Sequence, residues 1–171
     1  PFRHPSYHAT QLRALVFAKN NRRRLHWIVA HDTIADKKNA PADPEKAELR
    51  KEKFLEYHDR VTGGIPGLFP YDLDIPIRFT DSIDKKSRDL GVYKHSRGWL
   101  RGWKLPEDEE TRLQESDAPE VVLRKRPTHL FIEVETATKN MPTIGGKKIF
   151  TLPVQRKMWT LDSAGNVKIV R

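Results

Sequence analysis

The chain has 171 residues, 37% of them hydrophobic and 32% charged, and carries a net charge of +9. That is room for one domain, or one domain with an appendage, able to bury a core, and the positive excess favours anionic partners, nucleic acid first among them. The absence of cysteine excludes a disulfide framework and a cysteine-based zinc site, and no apolar run approaches the ~18 residues a membrane helix needs.

From the amino end, "SYHATQLRALVFAK", Ser6 to Lys19, predicts a helix that Ser6 caps and Asn20-Asn21 ends. Arg22-Arg23-Arg24 reads most simply as a solvated turn, and otherwise as a phosphate contact. It leads into "LHWIVAH", Leu25 to His31, a buried strand. His31 and Asp32 imitate a catalytic dyad, but neighbours at a strand end point apart. Asp43-Pro44-Glu45 opens a second helix, with a cap, a first-turn proline and an acid at the positive end of the dipole. It runs to about Arg60 and is largely charged and solvated, packing along one edge.

"TGGIPGLFPYDLDIP", Thr62 to Pro76, is a connection punctuated by Gly and Pro and is taken as the main boundary. It separates a helix–strand–helix flank, residues 1–74, from a β-rich part, residues 75–171. Strands are expected at Ile75–Thr80, Gly98–Leu105, Val121–Arg124, His129–Glu135, Lys148–Leu152, Lys157–Leu161 and Val167–Val170. "DSAGN" joins the last two as a hairpin turn, Gly165 supplying a positive φ. The acidic insertion Pro106–Glu120 is a short helix or a mobile loop. Gly145-Gly146-Lys147-Lys148 lacks the second spaced glycine and the hydroxyl of a phosphate loop and reads as a loop or hairpin entry. The expected fold class is α+β: a small β-barrel or curled sheet preceded by a helix–strand–helix segment.

The densest chemical signal is "LGVYKHSRGWLRGWKL", Leu90 to Leu105. From Lys85 to Lys104 there are seven Lys or Arg against a single acid, Asp89. On a regular strand Trp99, Arg101 and Trp103 share one face, Leu100 takes the other, and Gly102 allows a bend or bulge. The tryptophans then serve as core, or as a platform on which bases stack while arginines pair with phosphates. Glu133 and Glu135 share a strand face, which suits a metal or acid–base pair as well as the wet side of a half-buried strand.

"IPIRFTDSID" followed by "LGVYKHSRGWLRGW" resembles a segment of the Pif-family (petite integration frequency) superfamily-one DNA helicases. In that family the segment reads roughly V-M-L-T-x-N-L-D, then G-L-V-N-G-x-R-G-x-V-x-G-F. Ile77, Phe79, Thr80, Ile83 and Asp84 match the first part; Gly91, Arg97, Gly98, Leu100, Gly102 and Trp103 match the second. "PTHLFIEVET" is similar to the strand beyond it, and "MWTLDSAGNVKIVR" to the hairpin leading into R-Q-x-P-L, with Arg171 as its Arg.

The resemblance implies an internal fragment of an ATP-dependent helicase that moves five-prime to three-prime on single-stranded DNA. The fragment would hold the inserted Src-homology-like barrel of the second motor domain, with its flanks. A first residue that is Pro1 rather than Met fits such a fragment. ATP and Mg2+ would serve the parent enzyme at sites outside this chain, which would be inactive alone. The implied partners are single-stranded DNA or a DNA junction and the rest of the motor, in an intracellular setting, nuclear or mitochondrial. Lys94, Arg97, Arg101 and Lys104 are the expected phosphate contacts and Trp99 a stacking surface; no catalytic, cofactor or metal residue is assigned. Where the family has N-G this chain has Lys94-His95, which does not supply a positive φ cheaply, so a different loop geometry is expected over Val92–Ser96. The rivals are a stand-alone basic nucleic-acid-binding barrel and, more weakly, a metal-dependent nuclease built on Glu133 and Glu135.

Overall fold

The computed structural model describes residues 5–35, 53–55, 57, 61–160 and 168–171. The chain opens with helix α1, Pro5–Asn20. Gln11, Ala14 and Ala18, spaced three and four apart, are its buried face, and the two alanines let the helix lie close on the sheet beneath. The helix ends through Arg22, whose φ of 51° is left-handed, while the Arg23 amide bonds back to the Ala18 carbonyl at 2.9 Å. That is a Schellman turn with arginine where glycine is the cheaper residue.

Strand β1, Leu25–Val29, is the middle of a three-stranded sheet. It pairs antiparallel with β3, Leu68–Tyr71, and parallel with β6, Glu120–Val122. Strand β3 lies inside the Gly/Pro connection, where residue pattern carries no strand signal. A second three-stranded sheet combines β2, Thr33–Ile34, with the antiparallel pair β10, Met158–Thr160, and β11, Lys168–Val170. The expected turn between β10 and β11, and the expected helix from Asp43 to Arg60 apart from a helical turn at 53–55, lie outside the described residues.

The largest sheet runs β4-β5-β7-β9-β8 and is antiparallel throughout. Its strands are β4, Pro76–Arg78; β5, Arg97–Lys104; β7, His129–Val134; β8, Thr143–Ile144; and β9, Lys147–Pro153. Gly145 and Gly146, both at positive φ, make the two-residue hairpin between β8 and β9, so this glycine pair is a turn. Among the described residues β4 and β8 are free edges. The α+β class holds, and of its two forms the sheet takes the curled, open one: among the described residues no barrel closes, because no strand bridges those edges.

Helix α2, Lys85–Asp89, precedes β5 and is capped by Asp84, whose carboxylate accepts the Ser87 amide at 2.7 Å. The acidic insertion is a helix, α3, Glu107–Gln114. Its Glu109 is buried, bonded to Arg112 and to the Arg124 amide at 2.9 Å, which docks the segment instead of leaving it loose. The main core gathers Ala14 from α1, Val92 from the segment before β5, and Leu25, Tyr71, Leu100, Ile132, Val134 and Phe150 from two of the sheets. Burying each larger apolar side chain contributes roughly 1.5–3 kcal/mol.

Candidate nucleic-acid interface

Strand β5 carries the sequence R-G-W-L-R-G-W-K, and pairing fixes which side each residue faces. Leu100 opposes Ile132 across the ladder and both are fully buried, so they define the inner face. Gly98 is there because a Cβ would collide with the Glu133 carbonyl oxygen. Arg97 and Trp99, alternating with these, stand on the outer face, opposite Arg78 and Pro76 of β4.

Between Leu100 and Gly102 the register slips, and Arg101 is the extra residue of a β-bulge. The slip inverts the phase of the downstream residues. Trp103 pairs with Leu130 and turns inward, stacked on Tyr71 at 3.9 Å between centroids and 15° between planes, with His26 4.8 Å away. The expectation that Trp99 and Trp103 share a face is therefore overturned by one bulged residue. Lys104, opposite His129, returns to the outer face, which thus carries Arg78, Arg97, Trp99 and Lys104 together. With the bulged residue adding no length, the six paired steps from Arg97 to Lys104 span about 20 Å at ~3.3 Å per residue.

Arg101 is already engaged. Its Nε donates to Glu133 at 2.6 Å and its guanidinium also binds Asp74, which Arg23 holds from the other side at 3.0 Å. The guanidinium carbon lies 5.9 Å from the centre of the Trp99 ring. Burial pushes the Asp74 carboxyl up, but the bonds from Arg101 and Arg23 outweigh it and hold the group below the usual carboxylate range. Glu133 also faces Lys147 at 3.4 Å. A carboxylate shared by two cations is poorly suited to recruit a metal, and among the described residues no group of three or more His, Asp or Glu is arranged to hold one. The Arg triplet is divided among three roles: Arg23 binds Asp74, Arg24 binds the carbonyls of Leu113 and Ser116, and Arg22 is exposed.

Lys94 is exposed in a braced turn. The Ser96 amide bonds to the Tyr93 carbonyl at 3.0 Å, the His95 amide to the Phe79 carbonyl at 2.8 Å, and Thr136 Oγ1 to the Gly91 carbonyl at 2.6 Å. His95 has a φ of 73°. The expectation that Lys94-His95 would not supply a positive φ is overturned: His95 takes the left-handed conformation, at a steric cost, because the bonds at Phe79 and Tyr93 fix the turn.

Sequence reasoning passed over Arg78, Phe131 and Lys147 on the same outer face. The alternation His129, Phe131, Glu133 along β7 was the available signal. The inner face lines an open pocket of about 350 Å³ whose walls include Ile28, Phe69, Leu130, Ile132 and Leu152.

Fold and site together define a mixed α+β protein that presents a basic, aromatic sheet face. No family model matches the chain, and no curated protein does. Among solved structures, the crystal structure of Pif1 helicase from Candida albicans aligns with 92% of this chain and 30% of that one, at 13% identity and a TM-score of 0.42. The chain therefore spans about a third of that helicase's length.

Proposed function

We propose that this chain is a nucleic-acid-binding portion of an ATP-dependent, five-prime-to-three-prime DNA helicase of the Pif type, contributing single-strand or junction contacts rather than ATP hydrolysis. On this reading residues 75–171 are the element inserted in the second motor domain and residues 1–74 its flank. ATP and Mg2+ act at sites outside the chain, and the rest of the motor is the protein partner. Its supports are the motif residues from Ile77 to Trp103 and the sheet face, which share Arg97.

The observation that carries the reading is the outer sheet face, where alternation sets Arg78, Arg97 and Trp99 and the bulge at Arg101 adds Lys104. Lys94 extends the basic track from the turn. Arg101 is the least available of the candidate contacts, since its charge is matched by Asp74 and Glu133.

The test is binding of single-stranded DNA by the 171-residue chain across a salt series. Every phosphate contact that a substitution removes should lower the slope of log K against log salt by about 0.7. Replacing Lys94, Arg97 and Lys104 together by Gln should flatten the slope by about 2. An unchanged slope rejects the reading.

A further inference from the structure

We propose that Phe131 is a base-stacking residue of this face, so that the sheet holds unpaired bases as well as phosphates; the inference deepens the single-strand reading above and rests on it. Phe131 pairs with Gly102, the residue just past the bulge. A Cβ on Gly102 would stand 3.3 Å from Phe131 Cδ2 and 4.0 Å from its Cβ, so the aromatic side chain leans across the bare glycine. The missing side chain lets the phenyl ring rest on β5 at Gly102. Leu130 and Ile132, on either side, belong to the apolar core; Phe131 belongs to none of the apolar clusters and is half-buried.

Trp99, the expected stacking residue, is differently placed. Arg101 sits over its ring and is itself pinned by Asp74 and Glu133, so that aromatic surface is partly taken. Phe131 is the diagonal neighbour of Trp99 across the ladder, with Lys104 and His129 on one flank and exposed Thr151 opposite it on β9. A ring beside Lys104, on a strand whose other outward members are His129 and Glu133, suits the alternation of planar base and charged phosphate in a single strand. A duplex, whose bases are stacked on one another, offers no partner for the ring. The occupant is therefore single-stranded nucleic acid with its bases splayed out.

Affinity of the 171-residue chain for an oligothymidylate is compared with that for an abasic oligomer of equal length. Phe131→Ala should weaken oligothymidylate binding about 5- to 100-fold, leave the abasic oligomer and the salt slope unchanged, and Phe131→Trp should preserve binding. Phe131→Leu, which keeps apolar bulk over Gly102, should lose affinity as Ala does, separating stacking from folding. Photocrosslinking of the unmodified chain to iodouracil in the oligomer should label Phe131. Equal loss for both oligomers, or none for either, overturns the stacking role while leaving the phosphate track standing. Failure of the unmodified chain to bind either oligomer overturns both.

Discussion

Asp32 and Arg171, 139 residues apart in sequence, form a wholly buried ion pair, Arg171 Nε 2.9 Å from Oδ1 and Nη2 2.7 Å from Oδ2. The same guanidinium also bonds to the carbonyls of Ile65 at 3.0 Å and Phe54 at 2.6 Å and lies over Trp159. One side chain thus ties the end of the second small sheet to three distant parts of the chain. Removing one partner strands a buried charge and should cost about 3–5 kcal/mol in Asp32→Ala or Arg171→Met, whereas replacing both with apolar residues should cost markedly less than the sum. Urea midpoints of the two single variants and the double variant check this.

The turn before β5 stores strain at His95. His95→Gly should stabilise the fold by about 0.5–1 kcal/mol, and His95→Val should destabilise it, because a β-branched residue resists positive φ most. Gly91→Ala should be severe: φ is 92° and a Cβ would collide with the Thr136 carbonyl oxygen. Thermal melts of the three variants give the ranking.

Asp72 is buried beside Tyr71 with Oδ2 lacking a partner, and burial raises its pKa above the usual carboxylate range, with the Leu73 amide opposing. A raised folded-state pKa in an acid means the fold favours the protonated form. Stability from this group is therefore full below about pH 4 and declines as pH rises through the folded-state value. Asp72→Asn should raise Tm at pH 7 and lose that advantage near pH 3; an equal gain at both pH values would refute the assignment.

Arg97 and Arg101 sit four residues apart on the same strand yet should behave oppositely. Arg101→Gln breaks bonds to Asp74 and Glu133 and should lower stability by roughly 1–3 kcal/mol. Arg97→Gln should leave Tm unchanged and reduce the salt slope of single-strand binding by about 0.7. Paired melting and binding curves separate a structural arginine from a contacting one.

Much of this was legible from residue patterns. The first helix, the strands from β4 onward except β8, and the glycine hairpin follow from periodicity and turn chemistry. Strand β3 was hidden because Pro70 and its flanking glycines read as punctuation, while tertiary pairing with β1 made a strand of them. The parallel β1–β6 contact was invisible for the same reason: parallel partners carry no local turn signal. At the site, alternation set Trp99 and Leu100 on opposite faces, as they are, and Gly102 announced that a bulge was possible. The side on which Trp103 ends up depends on a register slip of one residue, which only the partner strand specifies.

That slip has a consequence for how this strand can vary. Straightening the strand at constant length, so that Arg101 itself paired with Phe131, would swing the downstream indole out to solvent and drive the lysine ammonium at 104 into the aromatic cluster around Tyr71, whereas deleting Arg101 would leave positions 102 to 104 facing as they do. Loss of the bulged residue should therefore be tolerated without change at positions 103 and 104, while a straightened strand of unchanged length should survive only if those two positions exchange their chemistry.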